Sequence, residues 1–558
     1  MKLNGAQIIC KLLERQGIRI LSGIPGGAIL PLYDALYDSP LRHVLARHEQ
    51  GAGFIAQGMA RVTGRAAVCL GTSGPGATNL LTAIADAKLD STPLVAITGQ
   101  VPSSLLRTDA FQEVDTFGLT LPITKHSFMV MHPEELLEVI PRAFEIAESG
   151  RPGPVVVDVP KDIFLGICDV ETWPEPGKAQ PPQGAPAETV ARMAELIAKA
   201  QRPVLYIGGG AIGASAGGHM LELAQRIGAP VASTLMGLGA VPCDHPLALG
   251  MLGMHGAPFT NYIMDEADLL IAVGARFDDR ATGHAPRFCE RAGIIHIDID
   301  PCEIDKIKAT SVSAAGDAGT ILRQLLTVAT PQERPEWLER VACLKASHPL
   351  IIPKREQGVH PLEFCKILGE LLPPDAIVST DVGQHQMWMA QSYPVRQPRT
   401  FLTSGGLGTM GFGLPAAIGG ALAAPGRRTV CVSGDGSILM NIQELATLAE
   451  LNLDVTVIIL NNNRLGMVRQ QQELFYRKRY AASIFERQPD FAAVARAFGI
   501  RAYDLAGVAD VAAALKEAMA QPGPCLINLP IDPAENVYPI VPPGAANTEM
   551  LGVGAEDN

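Results

Sequence analysis

Between Val430 and Arg464 the chain leaves little freedom in how it folds. The stretch reads VCVSGDGSILMNIQELATLAELNLDVTVIILNNNR. A β-rich run, 429–433, enters the glycine turn S-G-D-G-S. A helical run follows, in which Ile438, Leu439, Ile442, Leu445, Leu448 and Ala449 recur near helical spacing. A second β-rich run, 455–460, closes on Asn461, Asn462 and Asn463. The pattern predicts one β-α-β unit with parallel strands. Asp435 in the turn and Asn462 after the second strand then sit at the carboxyl ends of neighbouring strands, where ligands bind in such sheets.

Oxygen-only ligands suit a hard cation. Magnesium takes few protein ligands and completes its octahedron with substrate phosphates and water. Gly434 and Gly436 let the backbone approach a phosphate at a helix start. The tripeptide alone reads equally as an Asp capping a helix. The flanking strands, the spacing and the terminal asparagines make the whole unit more specific, and it resembles the diphosphate-binding motif of thiamine-diphosphate (ThDP) enzymes.

The rest of the chain has room for more than one such unit. Its 558 residues suggest three to four domains at roughly 150 residues each. In 1–170 the runs IRILSGI, AAVCLG, PLVAIT and PVVVDV alternate with helical runs, which predicts an α/β domain with a buried, mainly parallel sheet. A Pro-rich linker, ETWPEPGKAQPPQGAPAE, follows. The alternation returns in 189–344 with VLYIGGG, PVASTL, LLIAVGA and IIHIDID, and in 359–530 with AIVSTD, TVCVSGD, VTVIIL and PCLINLP. A proline-containing tail, 531–558, with little periodicity is expected to lie over another surface. The fold class is therefore α/β, with three doubly wound parallel-sheet domains. Residues 68–100, VCLGTSGPGATNLLTAIADAKLDSTPLVAITGQ, repeat the strand, S-G-x-G turn, helix, strand order of the central stretch, so the first and third domains are expected to share one fold. Pro75 stands where the third domain has Asp435, which leaves the metal to the third domain.

A net charge of −12 disfavours a general nucleic-acid or anionic-membrane binder. The ten cysteines contain no C-x-x-C, and Cys69 and Cys431 read as small core residues of a reducing compartment. MKLNGAQIICKLLERQG reads as an amphipathic helix rather than a signal peptide, and no apolar run reaches a membrane span. These point to a soluble, cytoplasmic protein.

Several further stretches carry chemistry. Arg47-His48-Glu49-Gln50-Gly51 leads into the apolar helix FIAQGMARV, so Glu49 sits at a strand-to-helix junction, where a carboxylate serves either as a cap or as a functional group. Gly405–Gly411 carries G-x-G-x-x-G but has no strong strand before it and no acidic residue about 20 positions on, a poor dinucleotide fingerprint. Gly208–Gly213 carries the same pattern directly after a strand. That context suits a nicotinamide dehydrogenase, which would leave the first and third domains unexplained. Gly274-Ala275-Arg276-Phe277-Asp278-Asp279-Arg280 follows a buried strand, and its arginines suggest an anion site or a surface ion-pair loop. Lys161 is either an anion contact or a solvated lysine.

Taken together, GIPGGAILPLYDAL, RHEQGAGFIAQGMAR, SGPGATNL, TDAFQEVD, DVPKDI, LGMLGMHG, GARFDDR, TDVGQHQMW, GGLGTMGFGLPAA, SGDGS, LGMVRQQ and IVPPGAANTEM resemble the catalytic subunits of the acetohydroxyacid synthase (biosynthetic acetolactate synthase) family over essentially the whole chain. The resemblance implies a pyrimidine-binding, a central FAD-binding and a diphosphate-binding domain, with ThDP, Mg²⁺ and FAD as cofactors. It implies a transferase that decarboxylates pyruvate and joins the two-carbon unit to pyruvate or 2-ketobutyrate in branched-chain amino-acid biosynthesis. FAD would be structural, because the reaction has no net redox change. Carried over by position, Glu49 would bond the cofactor's pyrimidine ring. Met410 would hold its two rings bent together. Asp435, Asn462 and the Arg464 carbonyl would hold magnesium. Gln384, His385, Gly434, Gly436, Ser437, Gly466 and Met467 would surround the diphosphate and thiazolium. Gly27, Phe111, Gln112 and Lys161 would line the substrate side, and Arg276 would meet the second substrate's carboxylate. FAD would lie along Arg151, the span from His255 to Arg276, and the span from Asp298 to Asp317.

The family further implies active sites shared between two chains, as a homodimer or a dimer of dimers, and a small regulatory subunit. Two departures stand out. Arg464 replaces an acidic residue common in the family. Gln472 stands at the place assigned to a tryptophan that favours 2-ketobutyrate, so that preference is expected to be weak. An FAD-dependent pyruvate oxidase or decarboxylase is the alternative on the same fold. A silent scaffold subunit would be expected to lack Glu49, Asp435 or Asn462, and all three are present.

Overall fold

The computed structural model describes residues 1–353, 355 and 358–553. The chain opens with β1 (Lys2–Asn4), whose last residue, Asn4, caps the amphipathic helix Gly5–Gln16 through its side chain. The first sheet follows: β2 (Ile20–Gly23), β3 (Arg42–Leu45), β4 (Ala67–Gly71), β5 (Leu94–Gln100), β6 (His126–Met129) and β7 (Pro154–Pro160). β8 (Ile167–Asp169) returns to pair antiparallel with β1, tying the end of this domain to its start. The second sheet contains β9 (Pro203–Ile207), β10 (Val231–Ser233), β11 (Ala248–Met251), β12 (Leu269–Val273), β13 (Gly293–Asp298) and β14 (Val312–Ala315). The third contains β15 (Ile377–Thr380), β16 (Phe401–Leu402), β17 (Thr429–Gly434), β18 (Val455–Asn461), β19 (Arg501–Asp504) and β20 (Cys525–Pro530).

Every pair within these three sheets is parallel. The first runs β3-β2-β4-β5-β7-β6 and the third β16-β15-β17-β18-β20-β19, the same order counted from each domain's first strand. The second runs β11-β10-β9-β12-β13-β14, the order of a dinucleotide-binding fold. In each sheet the four strands expected from sequence are the four central ones, and the two without a sequence signal lie at the edges. Central strands such as β4, β5 and β7 are buried along their whole length and so read as apolar runs. Edge strands such as β3 and β19 are half-exposed and mixed in character.

The helical run expected across 438–449 is instead two helices, Asp435–Ile438 and Glu444–Leu451. The bend between them turns Asn441 inward, where its amide bonds to other segments, and leaves Leu439 and Met440 exposed.

The first and third domains meet across the helices Glu49–Thr63 and Gly413–Ala423. A Cβ on Gly58 would lie 2.2 Å from the Ala416 carbonyl oxygen, and one on Gly419 only 2.0 Å from that of Ile55. Bare glycine faces let the two backbones touch. One apolar core runs through the contact, joining Ile55, Ala56 and Met59 to Leu414, Ala417 and Ile418.

The tail crosses the joint between the second and third domains. Val541 N–H donates to the Met254 carbonyl (2.9 Å), Asn547 Nδ2 to that of Ala281 (2.7 Å), and Gln470 Nε2 to that of Val537 (2.9 Å). The end of the tail, 554–558, lies outside the described residues. All ten cysteines are free, and Cys69 and Cys431 are fully buried. Among the described residues no helix is long and apolar enough to cross a membrane.

Candidate active site

A cavity of about 640 Å³ opens where the carboxyl ends of the second and third sheets face each other. In the third sheet the strand order reverses between β15 and β17, and the crevice there is lined by Gly383, Gln384 and His385 after β15 and by Gly434, Asp435 and Gly436 after β17. In the second sheet it reverses between β9 and β12, and Gly208, Gly209, Gly274, Ala275 and Arg276 line the wall. Ligands of doubly wound sheets bind at such reversals.

The metal pair is assembled by the backbone that follows β18. Arg464 N–H donates to both Asp435 Oδ2 (3.1 Å) and Asn462 Oδ1 (3.1 Å), so the two side-chain oxygens converge. Gln488 Nε2 donates to the same Asp435 oxygen (2.7 Å). Asn462 Nδ2 donates to Gln384 Oε1 (3.1 Å), which leaves the amide oxygen facing Asp435. Gln384 is held in turn, its Nε2 donating to Gln470 Oε1 and to the Glu535 carbonyl, both at 2.9 Å. Leu465 N–H and Phe485 N–H form the ladder bonds on either side of Arg464, so its carbonyl is left out of that pairing. Burial pushes the Asp435 carboxyl up to about 6, and a bound cation would reverse that shift. Among the described residues no group of three His, Cys, Asp or Glu side chains is placed to hold a metal ion. A carboxylate, an amide and a carbonyl fit magnesium completed by phosphate oxygens and lack the thiolate or imidazole ligands that select zinc or copper.

A diphosphate fits the same place. The helices Gln384–Ser392 and Gly466–Phe475 both start at the cavity wall, and their first N–H groups and dipoles favour an anion. His385 Nε2 is buried without a partner, and burial lowers this imidazole to about 3, so it is neutral. A Cβ on Gly434 would lie 2.9 Å from His385 Nδ1, and one on Gly466 would lie 2.0 Å from Gln384 Oε1. Met410 and Met467 add apolar wall. The peptide after Met410 is clamped: Gly411 N–H donates to Asp381 Oδ1 (2.7 Å) and its carbonyl accepts from Asn441 Nδ2 (2.8 Å).

The structure brings Gln384, His385, Met410, Gly434, Asp435, Gly436, Ser437, Asn462, Arg464, Gly466 and Met467 into this one cavity, with His255 and Arg276 on the opposite wall. Arg276 Nη1 donates to the Leu89 carbonyl (3.0 Å), and His255 Nδ1 meets the Pro539 carbonyl (3.1 Å).

Glu49, Gly27, Phe111, Gln112 and Lys161 belong to the first domain and do not line the cavity. Glu49 is the first residue of its helix and is buried, with Asn79 Nδ2 donating to its Oε2 (2.9 Å). Phe111 is 87% exposed, and Gln112 has a left-handed backbone (φ 60°). Lys161 starts the short helix Lys161–Leu165. Arg151, Asp298 and Asp317 also lie off the cavity wall. Arg151 pairs with Asp300 (3.2 Å) and Glu303 (2.7 Å) and bonds Ser91 Oγ. Asp298 closes β13, and burial lifts its carboxyl to about 6. Asp317 caps the helix Ala318–Val328 through Thr320.

One assignment is corrected. Gln472 faces away from the cavity, its Nε2 donating to the Ala481 carbonyl (2.9 Å) and its Oε1 accepting from Ser483 Oγ (2.6 Å). Gln471 lines the cavity instead, one turn after Met467 on the same face of the helix. That i, i+4 spacing was a usable signal in the sequence. Gly208 and Gly209 also line the cavity, and their G-x-G-x-x-G motif directly after β9 marked the place in the sequence. Asp381 and Asn441, which clamp the peptide after Met410, had no local signal at all.

Comparison with known proteins gives three matches in chain order. Residues 3–119 match the thiamine pyrophosphate enzyme N-terminal TPP binding domain, 190–325 the central domain and 381–529 the C-terminal TPP binding domain. The chain is 54% identical over 552 residues to the acetolactate synthase isozyme 1 large subunit of Escherichia coli, covering 99% of this chain and 98% of that one. It is 48% identical over 549 residues to the isozyme 2 large subunit of the same organism (98% and 99%). It is 47% identical over 563 residues to a probable acetolactate synthase large subunit of Methanocaldococcus jannaschii (98% and 95%).

Proposed function

The chain belongs to the acetolactate synthase large subunits among the thiamine pyrophosphate enzymes, and we propose that it condenses pyruvate with a second 2-keto acid, releasing carbon dioxide. Pyruvate as acceptor gives 2-acetolactate, and 2-ketobutyrate gives 2-aceto-2-hydroxybutyrate. ThDP, when bound, supplies the carbon that accepts pyruvate and the electron sink that makes decarboxylation possible. The protein's part is to hold, orient and shield. Asp435, Asn462 and the Arg464 carbonyl hold Mg²⁺. The helix starts at Gln384 and Gly466, together with His385, Gly434, Gly436 and Ser437, receive the diphosphate. Met410 would hold the cofactor's two rings bent together, and Met467 would border the thiazolium side. Arg276 holds the acceptor's carboxylate. FAD would be held at the reversal point of the second sheet by Gly208, Gly209 and His255, with Arg151 of the first domain and Asp298 and Asp317 of the second as further contacts, and would serve structure rather than redox.

Glu49 would hydrogen-bond the cofactor's pyrimidine ring from a second copy of the chain, a reading supported by its lying off the wall of the cavity that contains Asp435. Gly27, Phe111, Gln112 and Lys161 come with it to the substrate side, and the exposed Phe111 suits a residue completed by a partner. The assembly is thus a homodimer or a dimer of dimers. The relatives' name, large subunit, implies a smaller partner, here a regulatory one. The compartment is the cytoplasm.

The observation that carries this reading is the convergence of Asp435 and Asn462 on one N–H, facing two helix starts and an unpartnered His385 nitrogen. The test is a product balance with ThDP, Mg²⁺, FAD and pyruvate. One acetolactate per two pyruvates, with an unchanged oxidised-flavin spectrum, is the expected result. Acetate with a bleached flavin, or acetaldehyde, would overturn it in favour of an oxidase or a decarboxylase.

A further inference from the structure

Glu444 belongs to the third domain, yet its carboxylate is committed to the first. Oε1 accepts from the backbone N–H groups of Arg47 (2.9 Å) and His48 (3.1 Å), the two residues that lead into Glu49. Oε2 accepts from Thr447 Oγ1 (2.7 Å). The side chain is fully buried. Gly51 packs onto it so closely that a Cβ there would lie 2.4 Å from Oε1. Three residues earlier, Asn441 Nδ2 donates to Gln50 Oε1 (3.1 Å) and to the Gly411 carbonyl (2.8 Å). One short stretch after Asp435 therefore grips both the turn that presents Glu49 and the peptide next to Met410.

Arg47 and His48 lie between β3 and the helix that starts at Glu49, where neither a sheet ladder nor a helix takes up their N–H groups. A buried carboxylate is an expensive acceptor. Burial raises the Glu444 carboxyl, and the Thr447, Arg47 and His48 donors oppose that rise. We infer that Glu444 is a positioning residue: by accepting from Arg47 and His48 it fixes the backbone from which Glu49 projects. The inference rests on the reading that Glu49 serves the cofactor's pyrimidine ring. It also means that the segment after one chain's Asp435 sets the carboxylate that the same chain lends to its partner's site.

The test follows deuterium exchange at the C2 proton of bound ThDP, with Mg²⁺–ThDP affinity and the melting temperature of the cofactor-free protein measured alongside. Glu444→Ala is expected to slow exchange at least about tenfold, because sub-ångström placement controls proton transfer. Glu444→Gln, whose amide oxygen still accepts both N–H groups, is expected to stay within about threefold of wild type. Wild-type exchange in Glu444→Ala overturns the inference, and so does equal slowing by Glu444→Gln, which would assign the effect to charge. Gly51→Ala pushes the same carboxylate away and is expected to slow exchange even if Glu444→Ala does not fold, so a wild-type rate in that variant also overturns the inference. Glu49→Gln separates the two levels. If it exchanges normally, the reading of Glu49 fails; if it is slow while Glu444→Ala is normal, only the role of Glu444 fails.

Discussion

Replacing Gly466 by alanine places a methyl group where the metal site has no room for one. Gly466 opens the helix Gly466–Phe475 with an ordinary backbone, so alanine costs nothing locally. The new Cβ would lie 2.0 Å from Gln384 Oε1 and 2.7 Å from Asn462 Nδ2. Relief to an ordinary contact of 3.4 Å moves the Gln384 amide by roughly 1.4 Å. Hydrogen bonds span only about 2.7–3.2 Å, so the bonds to Gln470, Glu535 and Asn462 all break. At about 1 kcal/mol each, that is about 3 kcal/mol of local stability. Asn462 then loses the partner that turns its oxygen toward Asp435. Loss of such a supporting contact typically weakens metal binding about 10- to 100-fold. Titration of Mg²⁺ at saturating ThDP, read by calorimetry, checks this. Gly218→Ala is the control, because a Cβ there meets nothing within 4 Å. Magnesium affinity within about threefold of wild type in Gly466→Ala would refute the claim that Gln384 orients Asn462.

Three further outcomes are expected. Gln471→Trp shifts the product ratio toward 2-aceto-2-hydroxybutyrate by about tenfold in competition between equal acceptors, a pocket-filling effect, whereas Gln472→Trp leaves the ratio unchanged; the reverse pattern would contradict the helix face described here. Gly419→Ala forces its Cβ into the Ile55 carbonyl, backbone against backbone, and costs about 1–3 kcal/mol, read as a melting temperature lower by several degrees; an unchanged value would mean that the two helices separate freely. Burial lifts Asp158 from 3.8 to about 7, so between those values the folded protein holds a proton that the unfolded chain has lost, and stability falls as pH rises. The melting temperature of wild type relative to Asp158→Asn therefore declines from about pH 4 to about pH 7 and runs parallel above it, while a flat difference would show that the carboxyl is not protonated in the fold.

Much of this protein is written in local pattern. A strand buried on both faces has to be a continuous apolar run, so the four central strands of every sheet are legible, from LLIAV in β12 to VTVIIL in β18. The S-G-D-G-S turn is legible because only glycine permits the close approach at Gly434, where a Cβ would crowd His385. Edge strands carry no such mark, since their outer faces meet solvent. The helix after Asp435 misleads for a related reason: its apolar periodicity continues through a bend whose cause is Asn441, bonded to segments far away in the chain.

The amino-acid order thus settles which segments form strands, where the chain reverses and which oxygens stand at the strand ends, because burial and backbone stereochemistry act on neighbours. The fold alone settles which segments meet. The cavity between the second and third sheets, the absence of Glu49 from it, the choice of Gln471 over Gln472 and the reach of Glu444 to Arg47 across 397 positions arise from packing and hydrogen bonds between distant residues. Such contacts leave no period in the sequence, because each is satisfied by a partner that any polar residue elsewhere in the chain could have been.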